Sequence, residues 1–159
     1  MGFALSDMQL TSAAFKPGGL IPTKHTGEGA DVSPVLSWST APDETRAYAV
    51  ICHDPDAPLI TQEGTYGFVH WVLYNIPAAS THLVEGSDAY TNGKNDFGKE
   101  GYGGPMPPAG HGKHHYYFWV LALNEAPNLE GGLTMLELLE RIEPNVIGMN
   151  RLVGVYERT

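Results

Sequence analysis

The sequence predicts a mainly β protein, a β-sandwich with a peripheral helix, in a single domain spanning residues 1–159. Several segments rich in aromatic and β-branched residues lie between turn residues, which favours strands. One late segment has the apolar spacing of a helix. The 19 glycines and 12 prolines are spread along the chain, which is typical of turns rather than of disorder.

Six segments have the composition of strands. Residues 46–53 are apolar on both faces, as expected of a central strand. Two further runs, 68–76 and 116–124, are aromatic and β-branched. Residues 152–157 are expected to form a closing strand, and two shorter segments are weaker candidates, 8–12 and 36–39.

One segment near the C-terminus predicts an amphipathic helix. Thr134 and Glu137 have the spacing of a capping box. Pro144 is expected to end the helix, because proline cannot continue the hydrogen-bond ladder. Apolar residues follow the cap at helical spacing, namely Met135, Leu138, Leu139 and Ile142.

The charge of the chain excludes two classes of partner. Eighteen acidic residues against nine basic ones give a net charge of −9. Nucleic acid and anionic membranes both require clustered basic residues, so neither is an expected partner. No apolar run is long enough to span a bilayer, and no signal peptide is visible, so cytoplasmic location is expected. The single cysteine, Cys52, excludes an internal disulfide and is expected to be buried.

Two segments combine stiff backbone with ionisable side chains. Residues 54–58 read Asp-Pro-Asp-Ala-Pro, and residues 103–116 contain a Gly- and Pro-rich stretch that ends in His-His-Tyr. Proline fixes the backbone, whereas glycine allows a close approach to a ligand. The second segment ends a stretch, 77–115, that has almost no periodicity, and long loops of this kind are often functional.

Strand geometry predicts which side chains meet. Alternation places His70 on one face with Phe68, Val72 and Tyr74, and places His114 on one face with Tyr116 and Phe118. If the three strands are neighbours, one pocket gathers Asp54, Asp56, His70, His114 and Tyr116. Each residue has a simpler interpretation when taken alone, such as a core histidine or an Asp turn. Their joint occurrence is what favours a site.

Such a pocket is suited to an oxyanion. Nearby carboxylates are expected to raise the pKa of the imidazoles, so that protonated histidine, a tyrosine hydroxyl and glycine N–H groups donate to a phosphate. Anion binding is then expected to strengthen as the pH falls, and to be modest because of the net negative charge. We interpret the other histidines, His25, His53, His82 and His111, as surface or structural residues, and residues 94–96 as a polar loop tip.

Two other chemistries are less well supported. A metal site stays open, since His and Asp are metal ligands, but no ligand pair at helical spacing supports it. Nucleophilic catalysis is not supported, because the sequence has no Gly-x-Ser-x-Gly elbow and a buried Cys52 is a poor nucleophile. No cofactor is expected.

The motifs resemble those of the phosphatidylethanolamine-binding protein family, in its bacterial and archaeal branch, called Raf kinase inhibitor-like. The similarity keeps order and spacing over nearly the whole chain. The matching pieces are Ser33-Pro34 with Leu36 and Trp38, residues 54–58, Phe68-Val69-His70-Trp71, Asn95-Asp96-Phe97-Gly98, residues 102–110, residues 114–116 and residues 152–158.

This resemblance implies a sandwich of antiparallel sheets, with one or two peripheral helices and a small anion pocket at one end. It implies a non-enzymatic protein, a phosphoryl or carboxylate ligand, possible headgroup binding without membrane insertion, and a homodimer. The ligand-binding residues by motif match are Asp54, Asp56, His70, Gly104, Pro105, His114 and Tyr116. In that expectation the aspartates orient the imidazoles, and the two histidines and Tyr116 donate hydrogen bonds to the ligand. Gly104 and Pro105 shape the wall of the pocket.

Two departures and two rival functions accompany the resemblance. Met106 stands where relatives often have cysteine, and His115 stands where many have arginine, which removes a permanent charge and a fork of donors. One rival is an inhibitor of a kinase or protease that acts through protein contact. The other is a hydrolase or lyase with His and Asp as acid and base.

Overall fold

The computed structural model describes residues 5–57 and 66–159. Pro58, the last residue of the first motif, lies outside the described residues. Within them the chain forms two β-sheets and one α-helix, and every pair of neighbouring strands is antiparallel. The predicted mainly β fold with antiparallel sheets is confirmed.

The larger sheet supplies most of the framework. Its strand order is β6-β4-β3-β7-β8. The central strand β3 is buried on both faces, because its apolar residues meet a core on each side. The strands are β3 (Ala47–Asp54), β4 (Phe68–Pro77), β6 (Thr91–Asn92), β7 (His114–Leu123) and β8 (Val146–Tyr156).

The smaller sheet covers one face of the larger sheet. It has the order β1-β2-β5, formed by Gln9–Thr11, Leu36–Ser39 and His82–Leu83. Trp38 of β2 meets Tyr48 of β3 edge to face, with ring centroids 5.3 Å apart. The core between the sheets also contains Cys52, whose side chain is fully buried as predicted.

The helix covers part of the opposite face. Helix α1 (Met135–Ile142) begins where predicted, and the Thr134 hydroxyl accepts the Glu137 N–H at 3.2 Å. Leu138 and Ile142 pack into the second core. The chain then passes through a 3₁₀ turn, Glu143–Asn145, that contains Pro144.

Element bounds differ from the sequence prediction by more than one residue in three places. Strand β7 starts at His114, two residues before the predicted segment, and β8 starts at Val146 rather than at residue 152. The aperiodic stretch 77–115 contains two strands of two residues each, β5 and β6. Such short pairings leave no detectable periodicity in a sequence.

A β-bulge in β4 makes one prediction wrong. Cys52 pairs with Trp71, but the next residue of β3 pairs with Val69, so His70 is an extra residue. The bulge reverses the alternation. Val72 and Tyr74 therefore face the helix side, whereas His70 faces Tyr116 on the other side, with ring centroids 5.2 Å apart.

Two further observations concern the described residues only. None of their helices is long and apolar enough to cross a membrane. In the same part of the chain, no group of three or more His, Cys, Asp or Glu side chains is arranged to hold a metal ion.

Candidate ligand-binding site

The polar residues predicted from the motifs meet at one end of the larger sheet. Strand β3 ends there, whereas β4 and β7 begin there, because each is antiparallel to its neighbour. Their side chains surround a cavity of about 260 Å³. The polar part of its lining consists of Asp54, His70, His111, His114 and Tyr116.

The remaining lining is apolar. Phe97 and Met106 are 44% and 42% exposed, which places them at the rim of the cavity. A ligand with a polar head and a short apolar part would fit this distribution, since polar groups fix orientation and apolar walls supply burial. The apolar lining residues are Ala57, Phe68, Phe97, Met106, Pro107 and Pro108.

Asp54 and His114 form a buried pair. The His114 Nδ1–H donates to Asp54 Oδ2 at 2.7 Å, and the two residues are only 3% and 2% exposed. The other carboxylate oxygen accepts the Asp56 N–H at 2.8 Å. Asp54 therefore orients His114, as predicted, and its own orientation is fixed by the turn that follows β3.

Asp56 lies outside this cavity lining. Its Oδ2 accepts both the N–H and the Nδ1–H of His115 at 2.7 Å, in an ion pair whose side chains are about half exposed. Burial opposes ionisation of Asp56, but these hydrogen bonds outweigh it and lower the pKa. Asp56 thus orients His115 through Oδ2, and a contact between Asp56 and a ligand stays a prediction.

Gly104 and Pro105 also lie outside the described lining. The Gly104 N–H, expected to face an anion, donates instead to Asp31 Oδ1 at 2.7 Å. The Pro105 carbonyl accepts the Gly27 N–H at 2.9 Å. Both residues tie the loop to the segment that precedes β2, and the cavity wall is formed by the next three residues, 106–108.

His70 differs from its predicted role. Its Nδ1–H donates to the Gly103 carbonyl at 2.7 Å, which leaves Nε2 without a hydrogen in the neutral ring. Burial is the largest influence and lowers the pKa to about 4, although the Gly103 bond and the Asp54 charge act in the opposite direction. The expectation of a raised pKa is therefore wrong for His70, although the Asp54 charge does act in that direction. At neutral pH the ring donates through Nδ1 to Gly103, and its Nε2 can only accept.

Tyr116 has an unusual hydroxyl. The residue is fully buried, and its OH has no hydrogen-bond partner among the described residues. Burial, and secondarily the Asp54 charge, raises the pKa of the phenol, so it stays protonated. A buried hydroxyl without a partner costs about 1–3 kcal/mol, so a ligand oxygen that accepts from it would gain a ready donor.

The predicted ligand-binding residues include neither His111 nor any of the apolar residues of the lining. His111, interpreted as surface or structural, lines the cavity, and its Nδ1 lies 2.7 Å from His114 Nε2. Its position three residues before His114 was the available signal. Phe97 belongs to a turn held by Asn95, whose Oδ1 accepts the Phe97 N–H at 3.0 Å. Asn95 is 4% exposed, so the expected polar loop tip is in fact a buried anchor.

The low pKa of His70 predicts a pH-dependent stability. The native ring titrates near 4, whereas a histidine in the unfolded chain titrates near 6.5. Between these values the unfolded state binds a proton that the native state does not, so stability falls as the pH falls. We expect His70 alone to lower the free energy of unfolding by about 2 kcal/mol between pH values of roughly 8 and 5, measured by urea denaturation.

A control separates His70 from other titrating groups. His82 is exposed on β5 and bonds only the Ser37 hydroxyl at 2.9 Å. His82→Gln should leave the pH dependence unchanged, whereas His70→Gln should flatten it. Imidazole NMR of the unsubstituted protein gives a direct check, and titration of His70 near its ordinary pKa would contradict the prediction.

Together the fold and the cavity define a β-sandwich with a small-ligand pocket at one end of its larger sheet. The model of the phosphatidylethanolamine-binding protein family matches residues 11–157. The chain therefore belongs to this family, which also confirms the resemblance found in the motifs.

Proteins of bacteria and archaea are among those to which the chain is similar. A UPF0098 protein of Methanothermobacter thermautotrophicus is 40% identical over 158 residues, covering 95% of this chain and 99% of the relative. The crystal structure of the family homolog CT736 from Chlamydia trachomatis has a TM-score of 0.87 and 38% identity, covering 96% of this chain and 98% of that one. The crystal structure of Escherichia coli YbcL has a TM-score of 0.87 and 34% identity, covering 97% of this chain and 100% of that one.

Proposed function

We propose that the protein binds a small oxyanion, preferentially a phosphoryl group, in the cavity at the end of the larger sheet. The observation that carries this proposal is the buried Tyr116 hydroxyl, which has no partner among the described residues and lies beside the Asp54–His114 pair. A ligand oxygen would accept from this hydroxyl, and the apolar lining would hold the hydrocarbon part of a short substituent, such as the two methylene groups of a phosphoethanolamine headgroup.

Removal of one oxygen atom tests this proposal. Tyr116→Phe should weaken binding of phosphate and phosphoethanolamine about tenfold, which corresponds to one hydrogen bond to a charged acceptor. Stability should not fall, since no hydrogen bond within the described protein is lost. Binding is measured by NMR titration and calorimetry, with urea denaturation of each variant.

Tyr90→Phe is the matched control. The Tyr90 hydroxyl bonds the Ser80 hydroxyl at 2.6 Å on the surface, and neither residue lines the cavity. This variant should bind as the unsubstituted protein does. Equal affinity of the Tyr116→Phe variant, or ligand-induced shifts that avoid Asp54, His70 and His114, would overturn the proposal.

The proposed function is binding without turnover. Among the described residues that line the cavity there is no serine, threonine, cysteine or lysine to act as a nucleophile. A hydrolase would need to use a carboxylate, an imidazole or the Tyr116 hydroxyl as nucleophile, or to activate water directly. Turnover of a phosphoester panel that is abolished by Asp54→Asn would support that alternative. Cytoplasmic location and a homodimer stay predictions, and sedimentation equilibrium would check the second.

A further inference from the structure

A chain of three side chains runs from behind the cavity to its rim. Asp54 accepts from His114 Nδ1 at 2.7 Å, and His114 Nε2 lies 2.7 Å from His111 Nδ1. Asp54 and His114 are buried, whereas His111 is exposed and lines the cavity. The imidazole pair therefore connects a buried carboxylate to the place where a ligand would enter.

The hydrogen bonds determine where the protons lie. Because an ionised carboxylate only accepts, His114 carries its hydrogen on Nδ1. A neutral His114 then has a bare Nε2, which must accept from the Nδ1–H of His111. A neutral His111 in turn has a bare Nε2. In the uncharged pair, the free end of the chain is thus an acceptor, which repels an oxyanion.

One added proton reverses this property. If His111 takes the proton, its Nε2 becomes N–H. If the charge moves to His114, the shared hydrogen shifts from His111 Nδ1 to His114 Nε2, and the Nε2 of His111 still carries its own hydrogen. In both arrangements the free nitrogen donates. The positive charge is also favoured in the second arrangement, since it lies beside the Asp54 carboxylate.

The surrounding charges determine how readily the pair accepts this proton. Asp54 faces it from β3, with Asp56 beyond, and both favour the charged form. His70 on β4 is neutral at ordinary pH, and Tyr116 on β7 is protonated. Tyr156 on β8 lies opposite His114 on β7 in the strand pairing. Two cations oppose the charged form of the pair. Lys113 is exposed and directly precedes His114 in the chain. Arg158 bonds the Pro107 carbonyl and pairs with Glu28, which offsets its charge.

We propose that His111 is a ligand contact and that oxyanion binding in this cavity is coupled to uptake of one proton by the His111–His114 pair. This inference rests on the proposed function, since it describes how the same cavity takes its ligand. The protein supplies the proton-carrying donor, so the bound anion does not need a proton of its own.

Calorimetry in two buffers of different ionisation enthalpy measures the proton count. The probe is inorganic sulfate, which carries no titratable proton near neutral pH, and phosphate is measured in parallel. Where the free pair is neutral, we expect uptake of about one proton per sulfate and an affinity that falls about tenfold for each unit of rising pH. His111→Asn should reduce the uptake to near zero and weaken binding, whereas His82→Asn on distant β5 should change neither.

The unsubstituted protein gives a second measurement that does not depend on folding of a variant. In ¹⁵N spectra, added sulfate should move the His111 Nε2 resonance from the position of a bare nitrogen to that of a protonated one. An Nε2 resonance that stays at its bare position under saturating sulfate would overturn the proposal.

The outcomes distinguish the two proposals. Sulfate binding without proton uptake, or with uptake that survives His111→Asn, overturns the coupling and leaves the anion-binding function standing. Phosphate binding without sulfate binding means that the ligand brings the proton, and this too overturns the coupling. Binding of neither anion overturns both proposals.

Discussion

Replacement of Asp54 by alanine is expected to lower the free energy of unfolding by about 2–5 kcal/mol, because two donors lose their acceptor at a cost of about 1–3 kcal/mol each. His114 is 2% exposed and would lose the carboxylate that accepts its Nδ1–H, and the Asp56 N–H would lose its acceptor. Urea denaturation at neutral pH measures the change. Asp54→Asn should cost less, about 1–3 kcal/mol, since its single amide oxygen can serve only one of the two donors.

The chain contains a matched control for this substitution. Asp56 and His115 form a second pair at the same 2.7 Å separation, but their side chains are 41% and 48% exposed. Water screens such a pair, so Asp56→Ala should cost no more than about 1 kcal/mol. A similar loss of unfolding free energy in the Asp54→Ala and Asp56→Ala variants would contradict the view that burial makes the Asp54–His114 pair the more stabilising one.

Replacement of Gly104 by alanine is expected to cost about 1–3 kcal/mol through overpacking against backbone that cannot easily move. A Cβ at this position would collide with the His25 carbonyl oxygen, and would lie 2.7 Å from Asp31 Oδ1 and 2.9 Å from Thr26 Cα. The loop would have to shift, and it carries the cavity wall formed by residues 106–108. We therefore expect both a lower midpoint of urea denaturation and weaker phosphate binding.

Gly131→Ala is the control for the loss of a glycine. The nearest described atoms to a Cβ there, the Asn92 oxygen and Thr91 Cγ2, are each 3.8 Å away, which is ordinary contact. This variant should be neutral or slightly more stable, since alanine reduces the freedom of the unfolded chain. Equal stability of the two alanine variants would show that the Gly104 loop adapts without cost.

Much of the fold could be predicted because local sequence determines it. The central strand, the capped helix and the segment that begins at Phe68 follow from composition and spacing, and their bounds differ from the structure by only a few residues. The meeting of Asp54, His114 and Tyr116 could also be predicted, because each lies at a strand end and adjacent antiparallel strands bring those ends together.

Other features depend on tertiary packing, which leaves little trace in the chain. The direction of the His70 shift could not be predicted, since a nearby carboxylate and burial act in opposite directions and only the structure shows that burial is larger. The motif match with the family implies Gly104 as a ligand-binding residue, but its N–H donates to Asp31, which is far away in sequence. The contact between His111 and His114 depends on how the loop turns back.

The bulge at His70 in β4 affects how the protein can evolve. Phe68 and His70 line the cavity, whereas Trp71 and Leu73 belong to the core between the sheets and Val69 to the second core. The bulge lets Phe68 and His70 face the same side as Trp71 and Leu73 although the four residues do not follow one alternation. Substitutions of Phe68 or His70 that alter ligand preference can therefore accumulate with little effect on the packing of Trp71 and Leu73, so selection for a new ligand and selection for stability act on different residues of a single strand.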